Sequence, residues 1–295
     1  MNKKILSALG VLLTSSLLLL NTSCNLENSG KTLKDIKEAI EIIEEITEAV
    51  SSETTGAPIA VEADGLEMPA PRKGSSEIIL KKKSFTVSFN PRTNLPNWVA
   101  WRLDKDKLVE RESRSDHFEP DPELPADKAV DTKDYTRSGW DRGHMCPAGD
   151  NRWHWKAMKE SFYMTNVCPQ HHNLNRGDWK ELEDKCRAWV KEFNEPLYIV
   201  CGPVLYKGKK ASYIGQKHKV RVPEAFFKVV MTGIESGNPR AIGFLYKNAA
   251  GDKPLDSYVN SVDEIERITG YDFYPQLPDD IEEKIESKAD IRLWK

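Results

Sequence analysis

Apolar positions recur along this chain first with the period of strands and then with that of helices. Ser84–Phe89 and Trp98–Leu103 alternate apolar with polar side chains. Leu197–Cys201, Lys219–Val222, Phe226–Met231 and Ala241–Tyr246 read as further strands. Over Asp178–Phe193 the period becomes helical, with Trp179, Leu182, Cys186, Trp189, Val190 and Phe193 on one face. Shorter helices are expected over Trp153–Ser161, Asp263–Thr269 and Asp279–Glu286, and the polar, Pro-rich stretch 104–139 reads mostly as loop. Strands dominate the ends and a helix–strand–helix segment lies between them. With no βαβ repeat and no Gly-rich phosphate loop, the pattern predicts an α+β domain and argues against a doubly wound nucleotide fold.

The front of the chain follows other rules. Lys3 and Lys4 precede an apolar run from Ile5 to Leu20, followed by Asn21, Thr22, Ser23 and Cys24. A basic start, an apolar stretch and small residues before a cut site make residues 1–24 an expected export signal. The run is short for a stable membrane span, which needs about 20 apolar residues. The small residues before Cys24 resemble a bacterial lipoprotein signal, with Cys24 as the lipidated residue. The resemblance departs from the usual pattern at Asn21, where such signals carry Leu, and plain secretion is the alternative. Leu33, Ile36, Ile40, Ile43 and Val50 form one seam of an amphipathic helix over 31–50, and residues 51–75 are rich in Ser, Thr, Gly and Pro. Residues 25–75 are therefore expected to be a helical spacer and linker, and residues 76–295 the folded domain.

Composition alters this picture little. The chain has 295 residues, 39% hydrophobic, with eight Trp, enough for a substantial core. The net charge is −3, and residues 1–75 hold 7 basic and 11 acidic side chains, leaving 36 and 35 for the rest. A near-neutral domain lacks the footprint of a tight nucleic-acid binder, but an enzyme that releases its product needs only a local positive cleft. Besides Cys24 there are Cys146, Cys168, Cys186 and Cys201. An even number in an exported protein permits disulfides, and buried free thiols are the equal alternative. No CxxC pair suggests a zinc ribbon.

The densest chemical signal is Asp141-Arg142-Gly143-His144. An exposed histidine among charges would titrate near working pH and could act as a general base. Downstream lie Thr165-Asn166-Val167-Cys168-Pro169-Gln170 and Leu174-Asn175-Arg176-Gly177-Asp178-Trp179, then Glu183 and Arg187 on the long helix. Asn175, at the expected helix start, offers a hard amide oxygen suited to Mg²⁺, and its bland reading is a helix cap. Glu183 is two helical turns further on, and Glu183–Arg187 could be an ordinary i,i+4 ion pair. His171 and His172 read as loop residues beside Asn175, His154 and His218 as surface residues, and Trp179 as core.

These motifs, with Asn97–Trp101, Cys201-Gly202-Pro203 and Val222–Lys228, resemble the DNA/RNA non-specific endonuclease family of the ββα-metal, or His-Me finger, type, from about Asn97 to the C-terminus. The resemblance implies antiparallel sheets with flanking helices around a ββα-metal core. It implies His144 as general base and Asn175 as the one direct ligand of Mg²⁺, with Mn²⁺ able to substitute. Glu183 and Asn166 would hold metal-bound water and the loop around it, and Asp141 would fix the geometry near His144. Arg114 corresponds to the arginine that stabilises the charged phosphorane, with Arg111 as a rival, and Arg142 and Arg187 would contact phosphate. DNA and RNA are then the substrates and a homodimer is expected by analogy, while the lipoprotein-like signal at Cys24 separately implies a lipid anchor to a membrane. The alternative function is a non-catalytic nucleic-acid-binding surface lipoprotein, and a weaker one is a structural surface protein with a coiled-coil stalk.

Overall fold

The structure, a computed structural model, describes residues 59, 65–206, 208 and 210–294. The export signal, Cys24, the helix at 31–50 and most of the spacer lie outside the described residues. Among the described residues no helix is long and apolar enough to cross a membrane.

The scaffold is a seven-stranded antiparallel sheet. Its strands are β1 (Ile78–Lys81), β2 (Thr86–Asn90), β3 (Leu95–Leu103), β6 (Leu197–Val204), β9 (Ala225–Thr232), β10 (Arg240–Lys247) and β11 (Val259–Asn260), hydrogen-bonded in that order. Every residue of β6 and β9 is buried. These central strands are covered on both faces and carry long apolar runs in place of strict alternation. One face, with Val99, Trp101, Ile199, Cys201, Phe226 and Val230, packs under the segment that carries the sequence motifs. The other, with Ala100, Tyr198, Val200, Phe227, Val229 and Met231, is covered by the late helices α4 (Val262–Thr269) and α5 (Asp279–Glu286).

The long helix α3 (Asp178–Phe193) has the bounds its apolar stripe predicts, and Trp179 is buried in the core. The structure adds elements that the periodicity did not assign: β1, the hairpin-like pair β4 (Asp141–His144) and β5 (Val167–Gln170), and the one-turn helix α2 (His172–Arg176). The early helix α1 (Trp155–Ser161) starts after His154, whose side chain accepts from Lys156 N and caps it. A second small ribbon joins β7 (Tyr213–Ile214) to β8 (Val220–Arg221).

Three expectations are corrected. The packed chain begins before residue 76: Leu66 is fully buried, Ala70 N donates to Asp272 O at 2.8 Å and Arg72 donates to Thr269 O. His218 is a buried residue whose Nδ1 lies 2.7 Å from the Asp134 carboxylate. Glu183 and Arg187 do not form the ordinary ion pair, because Arg187 binds Asp150 at 2.7 Å and also Asp184. Of the two readings of the cysteines, the free-thiol one holds: Cys146, Cys168, Cys186 and Cys201 are all buried and unpaired.

Candidate active site

The motif Asp141-Arg142-Gly143-His144 is itself strand β4, paired antiparallel with β5 so that His144 faces Val167 in register. Helix α3 is fastened to this pair by Trp179, whose indole Nε1 donates to His144 O at 3.3 Å. Two short strands and a helix are thereby locked into one ββα unit. From beneath, Cys201 of β6 donates to Met145 O, and Trp101 of β3 donates from Nε1 to the Asp150 carboxylate at 3.1 Å. The large sheet thus sets the position of the loop that follows His144.

The expectation of an exposed, near-neutral histidine is overturned. His144 is 8% exposed and sits between Phe118 and Phe162, with ring centroids 5.0 and 4.7 Å away. Burial, reinforced by the positive charges of Arg114 and Arg142, pulls its pKa from 6.5 to about 3. Its Nε2 is buried and has no hydrogen-bond partner among the described residues. Desolvation and like charge both disfavour the imidazolium, so the ring is neutral across the ordinary working range.

Asn175 is placed differently from the expectation as well. Gly177 breaks the chain into α2 and α3, and a Cβ there would meet Asn173 O at 2.7 Å. Asn175 therefore lies on α2, is no cap of α3, and is not related to Glu183 by simple helical rise. Its Nδ2 donates to Asp141 Oδ2 at 3.0 Å, which commits the donor side of the amide and leaves Oδ1 to accept or coordinate. Asp141 also meets His172 Nδ1 at 3.2 Å and Arg176 Nε at 3.6 Å. Burial alone would raise the Asp141 carboxyl, but the hydrogen bonds from Asn175 and His172 hold it below its ordinary value. Asp141 thus orients Asn175, with His172 and Arg176 as its other partners.

Asn166 holds the loop, the part of its expected role that the structure displays. It is fully buried, its Oδ1 accepts from Cys146 N at 2.9 Å, and its Nδ2 donates to Cys146 O and Ser161 O, both at 2.8 Å. Both its donors and its oxygen are engaged with backbone on either side of the loop after His144, so it braces that loop from within.

His144, Asn175 and Glu183 open onto one cleft of about 910 Å³. Six basic side chains line it, Arg114, Arg137, Arg142, Arg176, Lys180 and Arg187, against two carboxylates, Asp141 and Glu183. The positive charge that the near-neutral domain lacks overall is gathered here. Arg114 is in the cleft and the rival Arg111 is not among its lining residues. Arg142 stacks its guanidinium 4.5 Å from the centre of the Phe118 ring. Arg187 reaches the cleft past Gly149, where a Cβ would lie 2.7 Å from its Nη1. Glu183 is half-buried, and burial lifts its carboxyl to about 7 against the opposing pull of Lys228 and Arg187. The amide oxygen of Asn175 and the carboxylate of Glu183 are hard oxygen donors, which fit Mg²⁺ or Mn²⁺ and not a thiophilic metal.

The sequence profile of the family described as DNA/RNA non-specific endonuclease matches residues 63–280. The chain belongs to this family. A nuclease of Nostoc sp. is 38% identical over 225 residues, which are 72% of this chain and 78% of the relative. Human mitochondrial endonuclease G is 32% identical over 207 residues, covering 66% and 69%. Human mitochondrial nuclease EXOG is 35% identical over 205 residues, 65% of this chain but only 55% of that relative, so the chain spans little more than half of it. Among solved structures, the crystal structure of the EndoG/EndoGI complex superposes with a TM-score of 0.63 at 26% identity, covering 69% of this chain and 88% of that one. The fold is thus that of a nuclease of this family, and the chain is a nuclease enzyme.

Within this family framework the sequence reading missed four contributors. Phe118 and Phe162 wall in His144, and neither stood out because isolated aromatics in loops carry no pattern. Asp150 is buried and bonded to both Arg187 and Trp101. Lys228 is 1% exposed, with its ammonium 4.3 Å from the centre of Trp179 and 5.7 Å from that of Trp101. A lysine in the otherwise apolar run Phe226–Met231 was the available signal.

Proposed function

We propose that this chain is an exported, Mg²⁺-dependent endonuclease that hydrolyses phosphodiester bonds of DNA and RNA with little regard for base sequence. The observation that carries the reading is a neutral, buried His144 opening into an arginine-lined cleft that also holds Asn175 and Glu183.

Hydrolysis of a phosphodiester needs a proton taken from water and relief of the charge that builds on phosphorus. His144 accepts the proton. Its ring is held by Phe118 and Phe162, so it meets an incoming water in one orientation. Arg114 and Arg142, the charges that depress its pKa, are also the groups that bind phosphate. When an anionic phosphate neutralises them, the ring becomes a stronger base at the moment it is needed. Arg114 then stabilises the pentavalent phosphorus with bidentate geometry. Arg187, already bound to Asp150 and Asp184, shapes the wall and adds field more than a free contact. The metal, when bound, supplies a Lewis acid that neutralises the non-bridging and leaving oxygens. Asn175 Oδ1 would hold it, with Glu183 at the same rim. Contacts that read phosphate and not base edges carry no sequence information.

The front of the chain supports an anchored form. The apolar run and Cys24 fit lipidation, which would tether the domain to a membrane. Detergent-phase partitioning of the full chain, compared with Cys24→Ser, tests this part, and equal partitioning would remove the anchor.

The reaction is tested by incubating the protein with supercoiled plasmid and with single-stranded RNA, in Mg²⁺ and in excess EDTA. Loss of both substrates in Mg²⁺ alone is expected. Undiminished cleavage in EDTA, or none in Mg²⁺ or Mn²⁺ by a folded protein, overturns the proposal.

A further inference from the structure

On the sheet face opposite the cleft, helices α4 and α5 bring carboxylates together. Asp263 and Glu266 lie one turn apart on α4, and Glu286 is the last residue of α5. One oxygen from each lies within 4.8 Å of the other two. Acidic clusters on helix surfaces are common, but Glu286 is not on the surface. It is 5% exposed, and its Oε1 has no hydrogen-bond partner among the described residues. A buried carboxylate oxygen without a donor is costly, and it needs either a proton or a cation.

Among the described residues no ion pair reaches Glu286. The leading charges that bear on Glu286 are Glu266, Glu282, Asp263 and Asp272, all of the same sign. Burial, with that repulsion added, pushes the Glu286 carboxyl up to about 9 and that of Glu282 to about 7. The nearest arginine on α4, Arg267, is occupied by Glu264 at 2.6 Å. Glu266 uses Oε1 to accept from Phe273 N at 2.7 Å and keeps its other oxygen.

We propose that Asp263, Glu266 and Glu286 form a site for a hard divalent cation, Ca²⁺, that clamps α4 to α5 apart from the catalytic cleft. The donor set is all oxygen, with neither His nor Cys, which suits Ca²⁺ and not zinc. Oxygens around Ca²⁺ at about 2.3–2.6 Å lie at most about 5 Å apart, so the observed spacing fits one ion. Ca²⁺ takes the place of the proton on Glu286, satisfies its orphan oxygen and offsets the charges of Asp263 and Glu266. Three carboxylates on a surface-adjacent cluster match the range of extracellular modules, about 10⁻⁴–10⁻³ M.

The test separates this site from the cleft by working in an Asn175→Ala background. Thermal unfolding of the full chain is followed in about 5 mM CaCl₂ and in EDTA, for Asn175→Ala alone and with Glu286→Gln added. The parent is expected to gain about 2–4 °C in Ca²⁺. Glu286→Gln should unfold higher than the parent in EDTA, because a neutral amide avoids the cost of burying a carboxyl that must first take up a proton, and should lose the Ca²⁺ response. Asp263→Asn, at an exposed position where folding is not at stake, should weaken Ca²⁺ binding at least tenfold by calorimetry. Glu286→Gln on the otherwise native chain should keep its Mg²⁺-dependent cleavage. No Ca²⁺ shift in the parent, or an equal shift in Glu286→Gln, would overturn the site.

Discussion

Asn175 Nδ2 donates to Asp141 Oδ2 at 3.0 Å, across the gap between a strand of the ββα unit and the one-turn helix beside it. This bond fixes which side of the Asn175 amide turns to the cleft. Groups that orient a metal ligand typically carry about 10–100-fold in metal affinity. Asp141→Ala is therefore expected to raise the Mg²⁺ concentration needed for half-maximal cleavage by about that factor, with a smaller loss at saturating Mg²⁺. A Mg²⁺ titration of initial rates separates the two effects. An unchanged Mg²⁺ requirement with a collapsed maximal rate would return Asp141 to a role at His144.

The buried, neutral His144 makes a prediction about acid stability. Its folded pKa of about 3 lies below the ordinary 6.5. Its contribution to stability is complete above about 6.5 and is lost as pH falls from there toward 3, because the unfolded chain takes up the proton first. Glu183 works in the opposite sense: its raised carboxyl favours the fold at low pH, and that is lost as pH rises from about 4.5 through about 7. His144→Asn keeps the Glu183 effect and removes the His144 one. Urea unfolding at about pH 4 and about pH 8 should show a smaller acid loss in His144→Asn than in the native chain, by on the order of a few kcal/mol.

Asn166 is expected to matter for folding before it matters for chemistry. Asn166→Ala leaves Cys146 N, Cys146 O and Ser161 O without their partner in a fully buried place. A cost of about 2–4 kcal/mol follows, read as a fall in unfolding midpoint. A full loss of activity with an unchanged midpoint would give Asn166 a direct part in the reaction.

The buried ammonium of Lys228, held over Trp179, pulls the Glu183 carboxyl down against the effect of burial. Removing it with Lys228→Met should move the acid limb of the pH–rate profile upward, since the opposing pull on the Glu183 carboxyl is gone. Lys228→Arg should restore part of the shift. A profile that falls in height but does not move would make Lys228 a packing residue only.

What the sequence disclosed and what it concealed have a common physical cause. Helix α3 was legible to the residue because its stripe of Trp179, Leu182, Cys186, Trp189 and Val190 is one buried face over 16 residues. Strands β6 and β9 were legible as apolar runs. Strand β4 was not, because Asp141-Arg142-Gly143-His144 has no aliphatic residue and pairs with a strand that begins 23 residues later and contains Pro169. The family resemblance singled out His144, Asn175, Glu183 and Arg114, which line one cleft, but said nothing of the groups they bond to. That Asp141 bonds to Asn175, that Asn166 brackets Cys146, and that His144 is buried between Phe118 and Phe162 all depend on long-range packing, which spacing along the chain does not encode.

The central claim is that His144 is the base that drives phosphodiester hydrolysis in the arginine-lined cleft. Its most direct test is the single-turnover rate of plasmid nicking in saturating Mg²⁺ by the native protein and by His144→Ala, with folding of both checked by circular dichroism. The account predicts a loss of about 10²–10⁴-fold in the variant, with substrate binding retained. Nicking by folded His144→Ala at close to the native rate would contradict it.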